Sequence, residues 1–354
     1  MIVKTAYTYD DIQIVPSLSE VESRSHCSLY TNFTENVPIT IPLISAPMDT
    51  VTEVAMAYTL GVHGAVGIIH RFDSIEEQVK KTEMVHQQLA LFSDVIRPTA
   101  AAVGVVGDYL ERAQALVYAG ANVILIDVAH GHTELMRKAL RELKNSLPER
   151  VDIIAGNVST GAGATALAEW GASAIRVGIG GGSLCETRIR TGVGVPQATA
   201  VSDCVASLTY SGYGHIPVIA DGGIRTPGDV AKALALGASS VMIGSIFAGT
   251  EETPGEVIKI GHWPNEKRMK KYRGSASMDA KIASGKHTTH VEGNSVMIPV
   301  KGSVMELVDD ICDGVKSAMS YVGATTLKDF MLHAEFVHVT SNGVIEAHPH
   351  LMLK

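Results

Sequence analysis

The chain has 354 residues, of which 46% are hydrophobic and 34 are glycine, and its formal net charge is −8. This length fits one large α/β barrel or two ordinary domains, and the acidic balance without a lysine- or arginine-rich run argues against nucleic acid or a membrane as a partner. The N-terminus lacks the pattern of a signal peptide, and no stretch of roughly 18 apolar residues is present. We therefore expect a cytoplasmic protein.

Short, continuous apolar runs recur eight times along the chain and often end in Gly, Asp, His or Asn. Continuous rather than alternating hydrophobicity is typical of parallel strands that helices bury on both faces. The runs therefore predict strands at residues 41–48, 65–70, 100–106, 122–128, 151–158, 174–180, 216–223 and 240–247.

Helix-like segments lie between these runs, and three of them end in the same way. Tyr118-Ala-Gly, Trp170-Gly and Leu236-Gly each place a glycine where a helix ends in the left-handed conformation, and a predicted strand follows each one. The predicted helices include residues 74–88, 108–118, 134–145, 161–170 and 227–236.

Eight strands with intervening helices favour a closed (β/α)8 barrel, the TIM-barrel fold, over an open doubly wound sheet, which the pattern alone leaves as the alternative. No Pro/Ser linker or low-complexity segment divides the chain. We therefore expect residues 1–354 to form a single domain. The barrel is predicted over about 38–260, an irregular and mobile flap over about 261–299, and a C-terminal helix and tail over 300–354.

Functional residues of such a barrel lie at the C-terminal ends of the strands and in the loops that follow. The sixth run leads into Gly178-Ile-Gly-Gly-Gly-Ser183, which is either a tight turn or a loop whose backbone holds an anion or a cation. The next two runs end in Asp221-Gly-Gly and Gly244-Ser, at the usual phosphate site of the fold. Together these segments predict a phosphorylated ligand, with Asp221 either accepting hydrogen bonds from ribose hydroxyls or serving only in a turn.

The four cysteines stand far apart and lack the spacing of a zinc site. Cys185 follows the glycine loop, where open amides favour a thiolate, so it is the candidate nucleophile; spacing alone also allows a small packing residue. Cys27, in an N-terminal extension, and Cys204 and Cys312, in helix-like segments, are predicted to be buried or inert.

Many ordered motifs resemble the inosine monophosphate dehydrogenase and guanosine monophosphate reductase family, and the match runs from Tyr9 to about Ala324. The matching stretches are Pro42-Leu-Ile-Ser-Ala-Pro-Met-Asp-Thr-Val-Thr-Glu, Ile69-His-Arg, Asp127-Val-Ala-His-Gly, Gly156-Asn-Val, Gly178-Ile-Gly-Gly-Gly-Ser-Leu-Cys-Glu-Thr-Arg, Gly192-Val-Gly-Val-Pro-Gln, Ala220-Asp-Gly-Gly-Ile and Tyr272-Arg-Gly.

The resemblance implies that Cys185 attacks C2 of a purine nucleotide and forms a covalent thioimidate-type adduct, while hydride passes between C2 and a nicotinamide. It also implies a proton relay of Thr187 and Glu292, a potassium site at the backbone carbonyls of Gly180, Gly182 and Cys185, and a homotetramer. The implied substrate-binding residues are Ser183, Asp221, Gly222, Gly223, Gly244, Ser245, Tyr272, Gly274 and Ser275, and the implied dinucleotide-binding residues are Asp127, Val128, Ala129 and Gly178.

Several features of this resemblance favour a reductase. Residues 72–99 have no room for the paired regulatory CBS repeats that dehydrogenases usually carry, and residues 281–290 lack the Arg-Tyr pair with which dehydrogenases activate water. The flap is short, and the pair Thr187 and Glu292 matches the reductase's relay to its leaving group. These features favour an NADPH-dependent enzyme that converts GMP to IMP and ammonia.

Other features favour the alternative, an IMP dehydrogenase that uses NAD, or a related enzyme with altered nucleotide specificity. Residues 41–48, 74–78 and 346–350 look more like a dehydrogenase, and Asn294 stands where the reductase has lysine. Ser275 replaces the methionine that both subfamilies usually place beside the base, which leaves the nucleobase open. Outside these activities, a non-catalytic nucleotide sensor and a flavin-dependent barrel oxidoreductase remain as hypotheses.

Overall fold

Eight parallel strands close into a barrel, which confirms the predicted fold. The structure is a computed structural model that describes residues 3–92, 97–262, 264–275, 277 and 291–347. Three short strands come first: β1 (Ile12–Val15), β2 (Thr31–Asn32) and β3 (Pro38–Ile39). The barrel strands are β4 (Leu43–Ser45), β5 (Val66–Ile69), β6 (Ala100–Val103), β7 (Val123–Asp127), β8 (Asp152–Val158), β9 (Ala174–Val177), β10 (Val218–Asp221) and β11 (Ser240–Ile243).

Helices surround the barrel and include all five segments that the sequence predicts as helical. They are α1 (Val54–Val62), α2 (Ile75–Leu89), α3 (Tyr109–Tyr118), α4 (Glu134–Ser146), α5 (Gly161–Glu169), α6 (Thr187–Thr191), α7 (Gln197–Tyr210) and α8 (Pro227–Ala235), followed by α9 (Val304–Tyr321), α10 (Leu327–His333) and α11 (Ser341–Glu346). Among the residues that the structure describes, no helix combines the length and the apolar character needed to cross a membrane.

Alternate residues of each barrel strand face two different apolar environments, which explains why the predicted strands read as continuous apolar runs. In β7, Val123 and Leu125 belong to the cluster that fills the barrel, whereas Ile124 and Ile126 belong to the larger cluster between the barrel and its helices. All four are fully buried. Since a strand buried on both faces has no polar side, no alternation appears in its sequence.

Glycine ends three helices as the sequence predicts. Gly120, Gly171 and Gly237 have φ of +101°, +101° and +99°, in the left-handed region that a side chain disfavours. Each follows the last turn of its helix and turns the chain towards the next barrel strand, so these caps set the short helix-to-strand connections.

A short hairpin closes the N-terminal end of the barrel. Strands β2 and β3 pair antiparallel, and Phe33 and Ile39 pack into the cluster that fills the barrel. Asp152, the first residue of β8, is 2% exposed and holds this hairpin. Its carboxylate accepts hydrogen bonds from the Thr34 hydroxyl at 2.5 Å, the Asn36 backbone N–H at 3.0 Å and the Asn36 side-chain amide at 2.9 Å.

Replacing Asp152 with alanine is expected to lower the free energy of unfolding by about 3 kcal/mol, because it leaves the buried Thr34 hydroxyl and two donors of Asn36 without their charged acceptor. Urea denaturation measures the change. Asp152→Asn, which keeps one acceptor oxygen, should cost less. A loss below about 0.5 kcal/mol for the alanine variant, the scale of an ordinary surface substitution, would contradict this role.

Residues 261–299, predicted to be irregular, contain regular structure in their described parts. Strands β12 (Ile258–Ile260), β13 (Lys267–Arg273) and β14 (Ser295–Pro299) form a three-stranded antiparallel sheet. Between residues 300 and 347, the part of the C-terminal region that the structure describes, the chain forms three helices and strand β15 (Glu335–His338), where one helix and a tail are predicted. Strand β15 pairs antiparallel with β1. Residues 278–290 of the predicted flap lie outside the described residues.

Candidate active site

A cavity of about 370 Å³ lies at the C-terminal ends of the barrel strands, within the size range of small-molecule sites. All the residues that the sequence predicts for a site line this one cavity, although they come from six separate segments of the chain. They are Asp127, Val128, Ala129, Gly178, Gly180, Gly182, Ser183, Cys185, Thr187, Asp221, Gly222, Gly223, Gly244, Ser245, Tyr272, Gly274, Ser275 and Glu292. Their individual roles remain predictions.

A chain of hydrogen bonds joins the candidate nucleophile to a carboxylate. The Cys185 thiol donates to Thr187 Oγ1 at 3.1 Å, and the Thr187 hydroxyl donates to Glu292 Oε2 at 2.7 Å. Backbone pairing holds the carboxylate in place, because the Glu186 N–H donates to the Glu292 carbonyl at 2.8 Å and Cys185 forms an antiparallel bridge with Gly293. The chain can therefore carry a proton between the sulfur and Glu292.

The glycine loop after β9 packs directly against the turn after β10. A side chain at Gly178, where φ is +146°, would place its Cβ 1.9 Å from the Asp221 carbonyl oxygen. The Gly223 N–H donates to the Gly181 carbonyl at 2.8 Å, and a Cβ at Gly222 would lie 2.9 Å from the Gly181 carbonyl carbon. Only glycine permits this approach, which brings two sets of backbone amides to one side of the cavity.

Two hydroxyl groups meet beside these amides. Ser183 Oγ and Tyr272 OH lie 3.1 Å apart, and Gly244 backs onto the same hydroxyl, since a Cβ there would lie 3.2 Å from Tyr272 OH. Burial raises the pKa of Tyr272, and the hydrogen bond with Ser183 only partly offsets that effect. The phenol therefore stays protonated at neutral pH and can donate a hydrogen bond to an anion.

A row of alternating charges crosses the other side of the cavity. Arg176 Nη1 donates to Asp127 Oδ1 at 2.6 Å, and Arg176 Nε donates to Asp221 Oδ2 at 3.0 Å. Arg71 Nε lies 3.4 Å from Asp127 Oδ2, and Asn157 Nδ2 donates to Asp221 Oδ2 at 2.7 Å. Burial favours a raised pKa for Asp127, but the charges of Arg176 and Arg71 outweigh it and lower that pKa, so this carboxyl is ionised at neutral pH.

Comparison with known proteins identifies the family of this site. The family described as "IMP dehydrogenase / GMP reductase domain" matches residues 6–350. The chain belongs to this family. Membership makes it a purine nucleotide oxidoreductase of the IMP dehydrogenase / GMP reductase type, a family that uses a nicotinamide dinucleotide.

Individual relatives match over nearly their whole length. The chain is 34% identical to "Inosine-5'-monophosphate dehydrogenase" of Nitrosopumilus maritimus (strain SCM1), with 99% of both chains covered. It is 39% identical to the protein of that name from Cryptosporidium parvum, covering 97% of this chain and 94% of the relative. For the Escherichia coli (strain K12) protein of that name, identity is 33%, with 99% and 96% covered. The Nitrosopumilus alignment extends over 479 positions, so the relative contains segments that this chain lacks.

The sequence prediction of this family's site omitted four side chains that shape the cavity. Arg176 and Asn157 hold Asp221, and Arg71 approaches Asp127. Arg188 supports the glycine loop, because its Nη2 donates to the Val195 carbonyl at 2.5 Å and to the Ile179 carbonyl at 3.2 Å. For Arg176 a signal was available, since it is the one charged residue within the apolar run 174–180.

The other three cysteine thiols, Cys27, Cys204 and Cys312, are buried, as the sequence predicts. Burial raises the pKa of Cys27, and it raises the pKa of Cys204 to about 12 and that of Cys312 to about 11. Cys204 lies in α7 and Cys312 in α9. Since the thiolate is the reactive form, these three sulfurs are inert at neutral pH, whereas the half-buried Cys185 opens onto the cavity.

A thiol titration tests this contrast. With an aromatic disulfide reagent at pH about 7.5, the native protein should release one equivalent rapidly, and all four cysteines should react in guanidinium. Cys185→Ala should remove the rapid phase, and bound IMP should slow it. A rapid phase that survives in Cys185→Ala would show that a thiol assigned here as inert is reactive.

A second cluster of ionisable groups lies beside the cavity at the end of β5. Glu53, His70 and Asp73 could present three ligand atoms to a metal ion, but Lys81 Nζ already lies 2.6 Å from Glu53 Oε1 and 2.7 Å from Asp73 Oδ2. The Phe72 N–H donates to His70 Nδ1 at 3.2 Å, so the proton of the neutral ring lies on Nε2, which is directed at Glu53. The Lys81 ammonium group therefore occupies the position between the carboxylates that a metal ion would take, and the cluster is an ion-pair network.

Proposed function

We propose that the protein is an IMP dehydrogenase, which oxidises IMP to XMP at C2 with NAD as hydride acceptor. The observation that carries the covalent chemistry at C2 is the hydrogen-bonded chain from Cys185 through Thr187 to Glu292 in the lining of a nucleotide-sized cavity, and this chain serves either direction of the reaction. The relatives named inosine-5'-monophosphate dehydrogenase support this direction over the GMP reductase that the flap motifs favour.

In the first half-reaction, the chain of hydrogen bonds activates the nucleophile. The Cys185 proton passes to Thr187 Oγ1 as the Thr187 hydroxyl proton passes to Glu292. The resulting thiolate forms a bond to C2, and the hydrogen on C2 leaves with the bonding electron pair. A dinucleotide bound beside Asp127 supplies the hydride acceptor for this step.

In the second half-reaction, the same chain works as a base towards water. Glu292 first releases to solvent the proton that it took in the first half-reaction. Water then adds at C2 of the thioimidate, Glu292 takes a proton from it through Thr187, and the C2–S bond breaks with its electron pair returning to Cys185. The usual arginine of a dehydrogenase is missing from residues 281–290, which lie outside the described residues. The Thr187–Glu292 pair therefore takes over the activation of water in this proposal.

The remaining predicted residues hold the two nucleotides. Backbone amides of Gly244 and Ser245 and the hydroxyls of Ser183 and Tyr272 line the same cavity and suit a phosphate. Gly223, whose N–H already donates to the Gly181 carbonyl, would shape the turn against which the ligand lies. Gly222 extends the amide turn, and Gly274 and Ser275 lie where the base would stack. The ribose hydroxyls would donate to Asp221.

Dinucleotide and cation sites complete the proposal. Asp127, Val128, Ala129 and Gly178 would contact the dinucleotide. The carbonyls of Gly180, Gly182 and Cys185 would bind K⁺, which neutral oxygens suit; the Gly182 carbonyl accepts the Cys185 N–H at 3.0 Å, so this loop is already folded around its own carbonyls. We also propose a single-domain chain that assembles as a homotetramer.

GMP reductase is the second candidate, because the same relay and the flap motifs are compatible with it. Thr187 and Glu292 are placed to pass a proton to a leaving amino group as well as to take one from water. In that direction Cys185 adds to C2 of GMP, ammonia leaves with the relayed proton, and hydride then adds to C2 as the C2–S bond breaks. NADPH would be the hydride donor.

Absorbance at 340 nm separates the two candidates in a pair of assays that contain K⁺. IMP with NAD⁺ should give a rise, and omission of K⁺ should reduce its rate. A fall with GMP and NADPH, and no change with IMP and NAD⁺, would replace the dehydrogenase by the reductase. No change in either assay, with nucleotide binding retained, would support the nucleotide sensor.

A further inference from the structure

Arg176 is shared by two carboxylates that the proposed function gives to different ligands. Its Nη1 donates to Asp127, assigned to the dinucleotide, while Nε and Nη2 each lie 3.0 Å from Oδ2 of Asp221, assigned to the nucleotide ribose. The side chains are 10% (Arg176), 14% (Asp127) and 19% (Asp221) exposed, so water screens these ion pairs little.

The hydrogen bonds to Asp221 leave one of its oxygens for a ligand. Between residues that the structure describes, Arg176 and Asn157 both bond to Oδ2, and none of the bonds to this carboxylate involves Oδ1. The oxygen that remains can accept ribose hydroxyls while Arg176 keeps its contact. Nucleotide binding and the Arg176 contact are therefore compatible.

The guanidinium group transmits position because it is planar and rigid. Two carboxylates bound to different edges of one guanidinium have a fixed relative position, so fixing Asp221 also fixes Asp127. A first ligand that orders one carboxylate leaves less conformational entropy for the second ligand to remove. This arrangement predicts that each ligand tightens the binding of the other.

We propose that Arg176 is a positioning residue that couples the nucleotide and dinucleotide halves of the cavity. The inference rests on the proposed function, since it takes Asp221 and Asp127 as contacts of the two ligands. Beyond the binding of each ligand, the inference states that they are coupled: bound nucleotide should raise the affinity for the dinucleotide, and this increase should depend on Arg176.

Binding to Cys185→Ala protein, in which the covalent step cannot occur, measures the coupling. Isothermal titration gives the Kd of NAD⁺ with and without saturating IMP, and the ratio of the two Kd values is the coupling factor. We expect a factor of at least about 5 in this parent and a value within about twofold of 1 after Arg176→Lys, because one ammonium group cannot bridge both carboxylates.

Two control variants distinguish coupling from general damage. Asn157→Ala removes the other donor to Asp221 Oδ2 together with a bond to the Gly178 backbone carbonyl, but it leaves the contact between Arg176 and Asp127 in place. It should therefore weaken the binding of IMP and NAD⁺ individually but keep the coupling factor. Arg112→Lys alters an arginine that is equally buried, 8% exposed like Arg176, but lies away from the cavity, and it should change neither affinity nor coupling. Loss of coupling in Asn157→Ala would overturn the specific role of Arg176.

An unchanged coupling factor in folded Arg176→Lys protein would overturn the proposal. Where that variant fails to fold, Asp127→Asn replaces it. This substitution weakens the contact between Arg176 and Asp127, so it should lower the affinity for IMP, a ligand that Asp127 does not contact. An unchanged affinity for IMP would again overturn the proposal. Failure of the proposed function looks different, because the Cys185→Ala parent would then fail to bind IMP, NAD⁺ or both, and no coupling factor could be measured in it.

Discussion

Replacing Cys185 with alanine should lower kcat by on the order of 10⁴-fold or more, while the Kd of IMP stays within about threefold. Alanine removes the sulfur that bonds to C2 but keeps the phosphate and ribose contacts made by Ser183, Tyr272 and Asp221. The chain of hydrogen bonds would then begin at Thr187. Steady-state assays at 340 nm and isothermal titration with IMP measure the two quantities.

Cys204→Ala is the matched control for this substitution. The Cys204 thiol is fully buried in α7 and does not line the cavity, so kcat should stay within about twofold of the parent. A Cys185→Ala enzyme with more than about 1% of the parental kcat would exclude Cys185 as the nucleophile, because a covalent route cannot survive the loss of its nucleophile.

Glu292→Gln should slow the hydrolysis of the adduct by about 10²–10³-fold and hydride transfer far less. At pH about 8.5 the thiolate form of a cysteine is populated without a base, whereas water, a far weaker acid, still needs one. Rapid mixing of the variant with IMP and NAD⁺ at that pH should therefore give a burst of about one NADH per active site, followed by slow turnover.

Two substitutions test whether the effect belongs to the relay. Thr187→Val breaks the chain in the middle and should produce the same burst and slow turnover. Glu186→Gln changes a neighbouring carboxylate that bonds to Arg190 and Asn294 outside the relay, and turnover should stay within about threefold. Equal slowing of burst and turnover in Glu292→Gln would mean that Glu292 acts before the adduct forms.

The barrel was predictable from the sequence because its strands are buried on both faces. The runs 41–48 and 240–247 each contain their observed strand, and the helix-capping glycines mark the boundaries between. Several predicted strands, such as 41–48, 100–106, 174–180 and 240–247, extend a few residues too far at their C-terminal ends. There the chain leaves the barrel as apolar loops that line the cavity, such as Ala46–Met48 after β4, and hydrophobicity alone does not separate strand from loop.

The sheet within residues 261–299 was not predictable, because a buried lysine hides its pattern. Strand β13 reads Lys-Arg-Met-Lys-Lys-Tyr-Arg, and only Lys270 and Tyr272 are buried. Lys270 Nζ donates to the carbonyls of Thr250, Glu251 and Thr253, at 2.7 to 3.2 Å, so three backbone acceptors make its burial tolerable. Burial alternates between successive residues near the end of β13, but the hydrophobicity of those residues does not.

The sequence predicted the residues of the candidate site that face the cavity, but it did not predict the side chains that hold those residues in place. Motif resemblance points to Asp127 and Asp221, but the side chains that hold them stand within strands or at strand ends: Arg176 in β9 and Asn157 in β8. Their partners lie on other strands, so sequence neighbours carry no trace of the contact. Such supports become visible only when the barrel closes.

The pairing of β1 with β15 has a consequence for folding during synthesis. Ile12 pairs with His338, which follows all eight barrel strands in the sequence, so a ribosome adds the partner of β1 only after the whole barrel. Until then β1 presents an unpaired edge while the barrel forms beside it. The newly made protein therefore passes through an open-edged intermediate, and slow translation or a chaperone that covers strand edges would govern how much of it reaches the native state.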